Sequence, residues 1–246
     1  MTMSISIKNK RSTMRLVVPL VAAAFLAACN GSSKNDDVET DTENRTFQIT
    51  VTNLTANQPL SPLAVIAHKS GYHAFTEGSP ASAGLEQLAE SGANGDLLAE
   101  AAGYAEYLDS NSGTGAIGPG GSATVEVSVT EGSQTYLSIV SMLVNTNDGF
   151  TAADNYDISG LSVDESSSMT LPVWDAGTEL NSEADGTIPG PANGGEGYSA
   201  ARDDIVDFVA IHRGVISSDD GLSSSILNES HRFDNPAARL TVKRID

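Results

Sequence analysis

Residues 46–52 read TFQITVT, and this stretch decides the class of fold. Phe47, Ile49 and Val51 alternate with polar residues, a period of two that is typical of a β-strand with one buried face. The same alternation returns in SATVEVSVT at residues 122–130, where three valines occupy every second position. A strand with one apolar face has to bury that face against another layer, so both segments predict a sheet packed on a second layer.

Further β-rich segments follow along the chain. The longest is TYLSIVSMLV at residues 135–144, which we expect near the centre of a sheet because it is apolar almost throughout. Shorter candidates occupy residues 63–68, 169–173, 208–212 and 238–245. Residues 83–102 carry leucines at helical spacing, and Gly92 and Gly95 divide this segment into two short helices. The pattern predicts an all-β fold, an antiparallel β-sandwich of about eight strands with a short helical insertion.

The composition excludes several classes of protein. The chain has 246 residues, with 13 Lys and Arg against 32 Asp and Glu, and its formal net charge is −19. This charge argues against nucleic-acid binding and against docking on anionic lipid, since both need a surface rich in Lys and Arg. The single cysteine cannot form an internal disulfide or a cysteine cage for a metal.

Residues 1–28 predict a lipoprotein signal peptide. A segment with four Lys or Arg precedes an apolar run at residues 16–28, which is shorter than the roughly 20 residues of a membrane-spanning helix. The run ends in Leu-Ala-Ala before Cys29, and this context resembles the lipobox of bacterial lipoproteins, in which the cysteine is lipid-modified and becomes the new N-terminus. An ordinary signal peptide with an incidental cysteine is the alternative.

Lipid on Cys29 would anchor the chain to a membrane of the cell envelope. Asn30 follows the cysteine, and the absence of Asp at that position favours an outer-membrane lipoprotein that faces the periplasm or the cell surface. Residues 29–44 are polar and acidic, so we expect a flexible tether, followed by the folded domain at residues 45–246. Removal of the leader takes four positive charges and leaves a net charge of −23.

Carboxylates cluster after the candidate strand at residues 169–173, in WDAGTE at residues 174–179. Gly177 allows the backbone to fold back, so Asp175 and Glu179 can direct their carboxylates to one place. Asp148, in the loop NTNDG after the longest strand, is a third candidate ligand. Ca²⁺ takes six to eight oxygen ligands, so these acids are candidates for a calcium site. The alternative is two solvated acidic turns in a chain with 32 acids.

Four segments follow one another along the chain: VSMLVNTNDGF at 140–150, VWDAGTE at 173–179, FVAIHR at 208–213 and ARLTVKRI at 238–245. They occur in the order found in the spondin N-terminal domain, which the chain resembles over about residues 46–245. The resemblance implies a C2-like β-sandwich in which loops at one end hold one calcium ion. It implies Asp148, Asp175 and Glu179 as the carboxylate ligands, although the family often has Asp where Glu179 stands. It also implies an adhesion or matrix-interaction module whose partner is an extracellular protein or polysaccharide.

The sequence contains no G-x-S-x-G, Walker A, H-E-x-x-H or G-x-G-x-x-G motif, so we predict no enzyme and no catalytic residue. A secreted envelope hydrolase acting on polysaccharide or peptide is the alternative, with Glu77, Glu86, Glu90 or His68 as its reactive groups. A purely structural envelope lipoprotein is a third possibility. We expect the glutamates to be solvated and His68 to lie at a sheet end or on the surface.

Residues 181–186 loosely resemble the start of an EF-hand loop. The pattern fails at its first position, Asn181, and at its twelfth, Ala192, which should be Asp and Glu respectively. We therefore expect residues 181–186 to form a solvated turn without a metal.

Overall fold

The computed structural model describes residues 43–246 except residues 131 and 133. The predicted signal peptide, Cys29 and nearly all of the predicted tether lie outside the described residues. The first strand begins at Asn44, one residue before the predicted domain boundary. In the described part of the chain, no helix combines the length and the apolar character needed to cross a membrane.

Ten strands form two antiparallel sheets in the described residues. Their bounds are β1 Asn44–Asn53, β2 Ala64–His68, β3 Tyr107–Ser112, β4 Ser122–Thr130, β5 Tyr136–Met142, β6 Gly149–Asp157, β7 Ser166–Leu171, β8 Val173–Asp175, β9 Ala210–Ile211 and β10 Ala238–Arg244. The first sheet has the order β4-β1-β10-β7, and the second has the order β3-β2-β5-β6-β8-β9. Two helices, α1 Ala83–Ser91 and α2 Gly95–Ala102, lie between β2 and β3. The architecture confirms the predicted antiparallel β-sandwich.

The apolar residues at every second position of β1 form part of the core between the sheets. Phe47, Ile49 and Val51 are fully buried and share one apolar cluster with Leu137 and Ile139 of β5 in the other sheet. The intervening Thr46, Thr50 and Thr52 face outward, and their hydroxyls pair with Ser or Thr hydroxyls of β4. A period of two thus places one face of the first sheet in the core and the other in water.

The second sheet is covered on both faces, which explains why β2 and β5 are buried along almost their whole length and are mostly apolar. Ile66 and Met142 belong to a second apolar cluster on the outer face, together with Leu85 and Leu88 of α1 and Leu97 of α2. The two helices thus occupy the face that would otherwise be exposed. The predicted pair of short helices is confirmed, and α1 ends at Gly92, whose φ of 73° closes the helix.

Three differences from the sequence prediction concern the number of strands. The prediction missed β3 and β6, because YLDSNS and GFTAADNYD lack a clear apolar alternation and are rich in residues of low strand propensity. The predicted strand at residues 169–173 is two strands that lie in different sheets. Pro172 separates them, because it has no N–H to donate to either ladder.

Candidate metal centre

The sheet topology brings Asp148 and Asp175 to one edge of the second sheet. Asp148 directly precedes β6, and Asp175 is the last residue of β8. Because β6 and β8 are antiparallel neighbours, Gly149 pairs with Asp175, and the two acids lie beside each other. The two acids that the sequence offers as ligands therefore lie side by side.

A third acid, Asp204, reaches the same place from the segment before β9. Ala210 of β9 pairs with Asp175, so the chain that enters β9 arrives at the same sheet edge. One oxygen from each of Asp148, Asp175 and Asp204 can be chosen so that all three lie within 4.8 Å of one another. Of the acids, cysteines and histidines in the described residues, these three alone form a group with metal-ligand spacing.

Asp148 is fully buried, and its two carboxylate oxygens differ in their surroundings. Its Oδ2 accepts hydrogen bonds from the backbone N–H groups of Thr178 (2.8 Å) and Glu179 (3.1 Å). Its Oδ1 is also buried and has no hydrogen-bond partner among the described residues. A buried carboxylate oxygen without a partner is costly, so this atom calls for a cation or another donor.

The loop after β8 holds its shape through Asp175 and Gly177. Asp175 Oδ1 accepts the backbone N–H of Gly177 (2.9 Å), and Asp175 Oδ2 accepts the side-chain amide of Asn181 (2.5 Å). Gly177 has a φ of 71°, and a Cβ at this position would lie 2.4 Å from the Phe208 carbonyl oxygen. Only glycine therefore lets this loop pack directly on the segment that carries Asp204.

Burial raises the pKa values of the three acids. Burial, followed by the charge of Asp175, raises the pKa of Asp148. Burial also raises the pKa of Asp175, against the hydrogen bonds from Asn181 and Gly177, which lower it. Burial and the Asp175 charge raise the pKa of Asp204. Without a counter-charge, three carboxylates at this spacing therefore disfavour their ionised forms.

The donor set suits a hard divalent cation. Carboxylate oxygens are the ligands that Ca²⁺ prefers, and a bound cation would neutralise two of the three negative charges. Asp148, Asp175 and Asp204 can hold such an ion. The three carboxylates leave room in a shell of six to eight oxygens for water or a further ligand.

Glu179, the third predicted ligand, lies next to this centre but is not one of the three converging carboxylates. Its backbone N–H binds Asp148, whereas its carboxyl is buried and its Oε2 has no partner among the described residues. Burial and then the charge of Glu90 raise the pKa of Glu179 to about 8. The backbone of Glu179 thus supports the centre, and its side chain adds a further buried carboxyl close by.

Asp204 is not among the ligands that the sequence predicts. It lies in ARDDIVD at residues 201–207, a stretch with no β-rich pattern and with acids spaced as on any solvated loop. The one available signal was its position shortly before the predicted strand at residues 208–212. That signal becomes useful only when the pairing of β8 with β9 is known, and periodicity does not reveal strand pairing.

The residues considered for a hydrolase have different surroundings. Glu77 is exposed, whereas Glu86 is buried and binds Arg202 at 2.6 Å. Glu90 is fully buried and accepts the backbone N–H of Ser199. The expectation that these glutamates are solvated is thus wrong for Glu86 and Glu90, because loop 199–202 covers both. His68 lies at the end of β2, as predicted, but is fully buried.

His68 belongs to a hydrogen-bonded chain on the second sheet. Its Nε2 contacts the Ser138 hydroxyl, which donates to Asp154, and Asp154 also pairs with His73 Nδ1 at 2.7 Å. Burial lowers the pKa of His68. The arrangement places serine between histidine and aspartate, so the histidine and the aspartate do not act together on an exposed nucleophile as in a hydrolase triad.

The turn at residues 181–186 is not wholly solvated, contrary to the prediction. Glu183 is 2 % exposed, and its Oε1 accepts the backbone N–H of Ile216 (3.2 Å). Burial raises the pKa of Glu183 to about 7. The cause is the segment after β9, which folds back over this turn and could not be placed from sequence.

Comparison with known proteins identifies the family. No curated protein sequence matches the chain significantly. The family model Spondin_N, which describes the spondin N-terminal domain, matches residues 44–184. The match covers more than half of the chain and includes Asp148, Asp175 and Glu179, whereas Asp204 lies beyond it. The chain therefore belongs to the spondin N-terminal domain family.

Proposed function

We propose that the chain is a lipid-anchored, extracytoplasmic, calcium-binding spondin-type domain that acts as an adhesion or matrix-interaction module. Membership of the spondin N-terminal family favours an extracellular module of this kind. The observation that carries the calcium site is the convergence of Asp148, Asp175 and Asp204 around a buried oxygen with no partner. The partner would be an extracellular protein or polysaccharide.

The role of the ion is structural in the first place. Asp148, Asp175 and Asp204 lie on three separate connections, before β6, after β8 and before β9. A cation that binds all three carboxylates would tie these connections together and remove their mutual repulsion. The loops would then present a rigid surface to a partner, which lowers the entropy lost on binding.

The experiment is a thermal melt of the chain without its leader, in calcium and in chelator. Calcium at 100 times its dissociation constant should stabilise the fold by about 2.7 kcal/mol. Asp175→Asn should lose most of this gain, whereas Asp234→Asn, which changes an exposed acid outside the centre, should retain it. Equal midpoints in calcium and chelator for the native chain would contradict the calcium site.

The anchor needs a separate test. The full chain expressed in a Gram-negative bacterium with labelled palmitate should incorporate the label and sediment with the outer membrane. Cys29→Ser should abolish both effects, because Cys29 is the only cysteine of the chain. Label that persists in Cys29→Ser would contradict the lipobox interpretation.

A further inference from the structure

Two glutamates beside the candidate metal centre are buried and incompletely hydrogen-bonded. Glu90, in the last turn of α1, is fully buried, and Glu179, in the loop after β8, is 8 % exposed. Glu90 Oε2 accepts the backbone N–H of Ser199 at 2.8 Å. Glu90 Oε1 and Glu179 Oε2 are buried and have no hydrogen-bond partner among the described residues. A buried carboxylate oxygen without a donor or a cation is costly, so hydrogen bonding within the fold does not account for these two atoms.

The two glutamates lie close to each other and to Asp148. After burial, the charge of Glu90 has the largest effect on the pKa of Glu179, and the charge of Asp148 follows it. Thr178 connects the same groups, because its backbone N–H donates to Asp148 Oδ2 at 2.8 Å. Burial raises the pKa of Glu90, and hydrogen bonds from Ser199 and from the Thr178 side chain oppose this rise. Buried carboxyls thus continue from the metal centre to α1.

The Arg202 guanidinium acts on Glu90 but does not neutralise it. Its Nη2 donates to Glu86 at 2.6 Å and to the Ala81 carbonyl at 2.9 Å. Its Nη1 donates to Asp207 at 2.8 Å. The charge of Glu86 also acts on Glu90, and more strongly than the charge of Arg202. This ion pair therefore supplies no net positive charge to the buried glutamates.

A single divalent ion does not balance the negative charges of this region. It offsets two of the three aspartates in the metal centre, and the nearby Arg213 guanidinium offsets the third. Glu90 and Glu179 then remain as two buried negative charges. Two exposed acids, Asp203 and Glu196, also act on Glu179 and add to the negative potential. The buried charge that is left over equals that of one further divalent cation.

The burial of the two oxygens suits an ion better than it suits a larger ligand. Calcium lies about 2.3–2.6 Å from its ligand oxygens, whereas a hydrogen-bonded water oxygen lies about 2.7–2.8 Å from a carboxylate. An ion therefore needs less room between two carboxylates than a water molecule does. Loop 199–202 covers Glu90 and is exposed at residues 200–202, so its opening gives an ion a route from solvent.

We propose that Glu90 and Glu179 bind a second calcium ion, beside the ion held by the three aspartates. The proposal rests on the proposed function, since it takes the first ion as bound, and it extends the metal centre to helix α1. Water and neutral oxygens would fill the remaining ligand positions of the second ion. The affinity of a calcium site depends on the number of its charged ligands, so the second ion, with two carboxylates, should bind more weakly than the first.

The test counts the calcium ions and locates them, in the chain without its leader. Calorimetry gives the number of ions per chain, with calcium up to about 10 mM, roughly ten times the weakest dissociation constants of extracellular calcium modules. NMR of the ¹⁵N-labelled chain locates the ions. The Gly177 amide donates to Asp175 and reports the first ion, whereas the Ser199 amide donates to Glu90 and reports the second. We expect two ions per chain, with the Gly177 signal shifting at lower calcium concentration than the Ser199 signal.

A matched pair of variants assigns the second ion. Glu90→Gln keeps the acceptor for the Ser199 amide but removes the charge, so it should lose the second ion and retain the first. Glu77→Gln, the same change at an exposed glutamate, should retain both ions. Asp204→Asn should weaken the first ion, while the Ser199 signal still shifts. The amide spectrum of each variant shows whether it folds, and the count on the native chain needs no variant.

The outcomes separate this inference from the proposed function. One ion per chain, or two ions that both persist in Glu90→Gln, would overturn the inference and leave the proposed function intact. No calcium binding by the native chain would refute the proposed function itself.

Discussion

Asp148→Asn should make the calcium-free protein more stable and should reduce the further stability that calcium adds. The carbonyl oxygen of the asparagine can accept the same backbone N–H groups of Thr178 and Glu179 that Oδ2 accepts in the native chain. The amide nitrogen then replaces Oδ1, the buried oxygen without a partner, and can donate to a neighbouring carboxylate. The change therefore removes a charge without removing the hydrogen bonds that position the loop.

The magnitude follows from the pKa of Asp148. Burial and the Asp175 charge raise this pKa to about 7, from an ordinary value of 3.8. At about 1.4 kcal/mol for each pH unit, ionised Asp148 costs the calcium-free fold of the order of 4 kcal/mol at pH 8. The folded state binds this proton more tightly than the unfolded state, so the stability of the calcium-free native protein falls as pH rises from 4 to 7.

The assay is urea unfolding at pH 5 and pH 8, in chelator and in calcium. At pH 8 in chelator, Asp148→Asn should be more stable than the native chain by up to about 4 kcal/mol, or roughly 10 °C in Tm. At pH 5 the difference in unfolding free energy between the variant and the native chain should shrink. Calcium should stabilise the variant by less than half as much as it stabilises the native chain. A variant that is less stable than the native chain in chelator at pH 8 would refute the reasoning.

Three further predictions concern the surroundings of the centre. Burial raises the pKa of Glu183 to about 7, so the free energy of unfolding of the native chain should fall by the order of 3 kcal/mol between pH 4.5 and 7. Glu183→Gln should remove this fall, and pH-dependent urea unfolding measures it. Gly177→Ala should destabilise the fold by at least about 2 kcal/mol more than Gly186→Ala in chemical unfolding, since both have positive φ but only Gly177 meets backbone atoms within 3 Å. Arg202→Met should cost about 3 kcal/mol of unfolding free energy because it strands a buried glutamate, whereas Lys243→Ala, at an exposed ion pair, should cost less than about 1 kcal/mol.

The sequence predicted the sandwich because its decisive strands carry their pattern locally. The alternation in β1 and β4 and the apolar run of β5 are visible without any knowledge of their neighbours. The strands β3 and β6 were missed because their residues become strands only through pairing with β2 and β5. Local pattern therefore reveals the strands that form the core and not those that depend on a partner.

The candidate site, like the fold, was predictable in part. Asp148 and Asp175 follow strands at positions that the sequence identifies, and the structure places them side by side. Asp204 arrives through the pairing of the two-residue strand β9 with β8, which no periodicity records. Glu90 and Glu183 are buried because loops fold back over them. Their charge alone predicts solvated side chains, which is the opposite of what the structure has.

A crystal structure of the chain grown in calcium, with anomalous data, tests the central claim most directly. Our account predicts one ion between Asp148, Asp175 and Asp204, with carboxylate oxygens at about 2.3–2.6 Å from it. Replacement of Asp204 by Glu179 in the coordination shell would show that the ligand set from the sequence is correct and that the geometric set is wrong. No ion at these carboxylates, in crystals that contain excess calcium, would contradict the account.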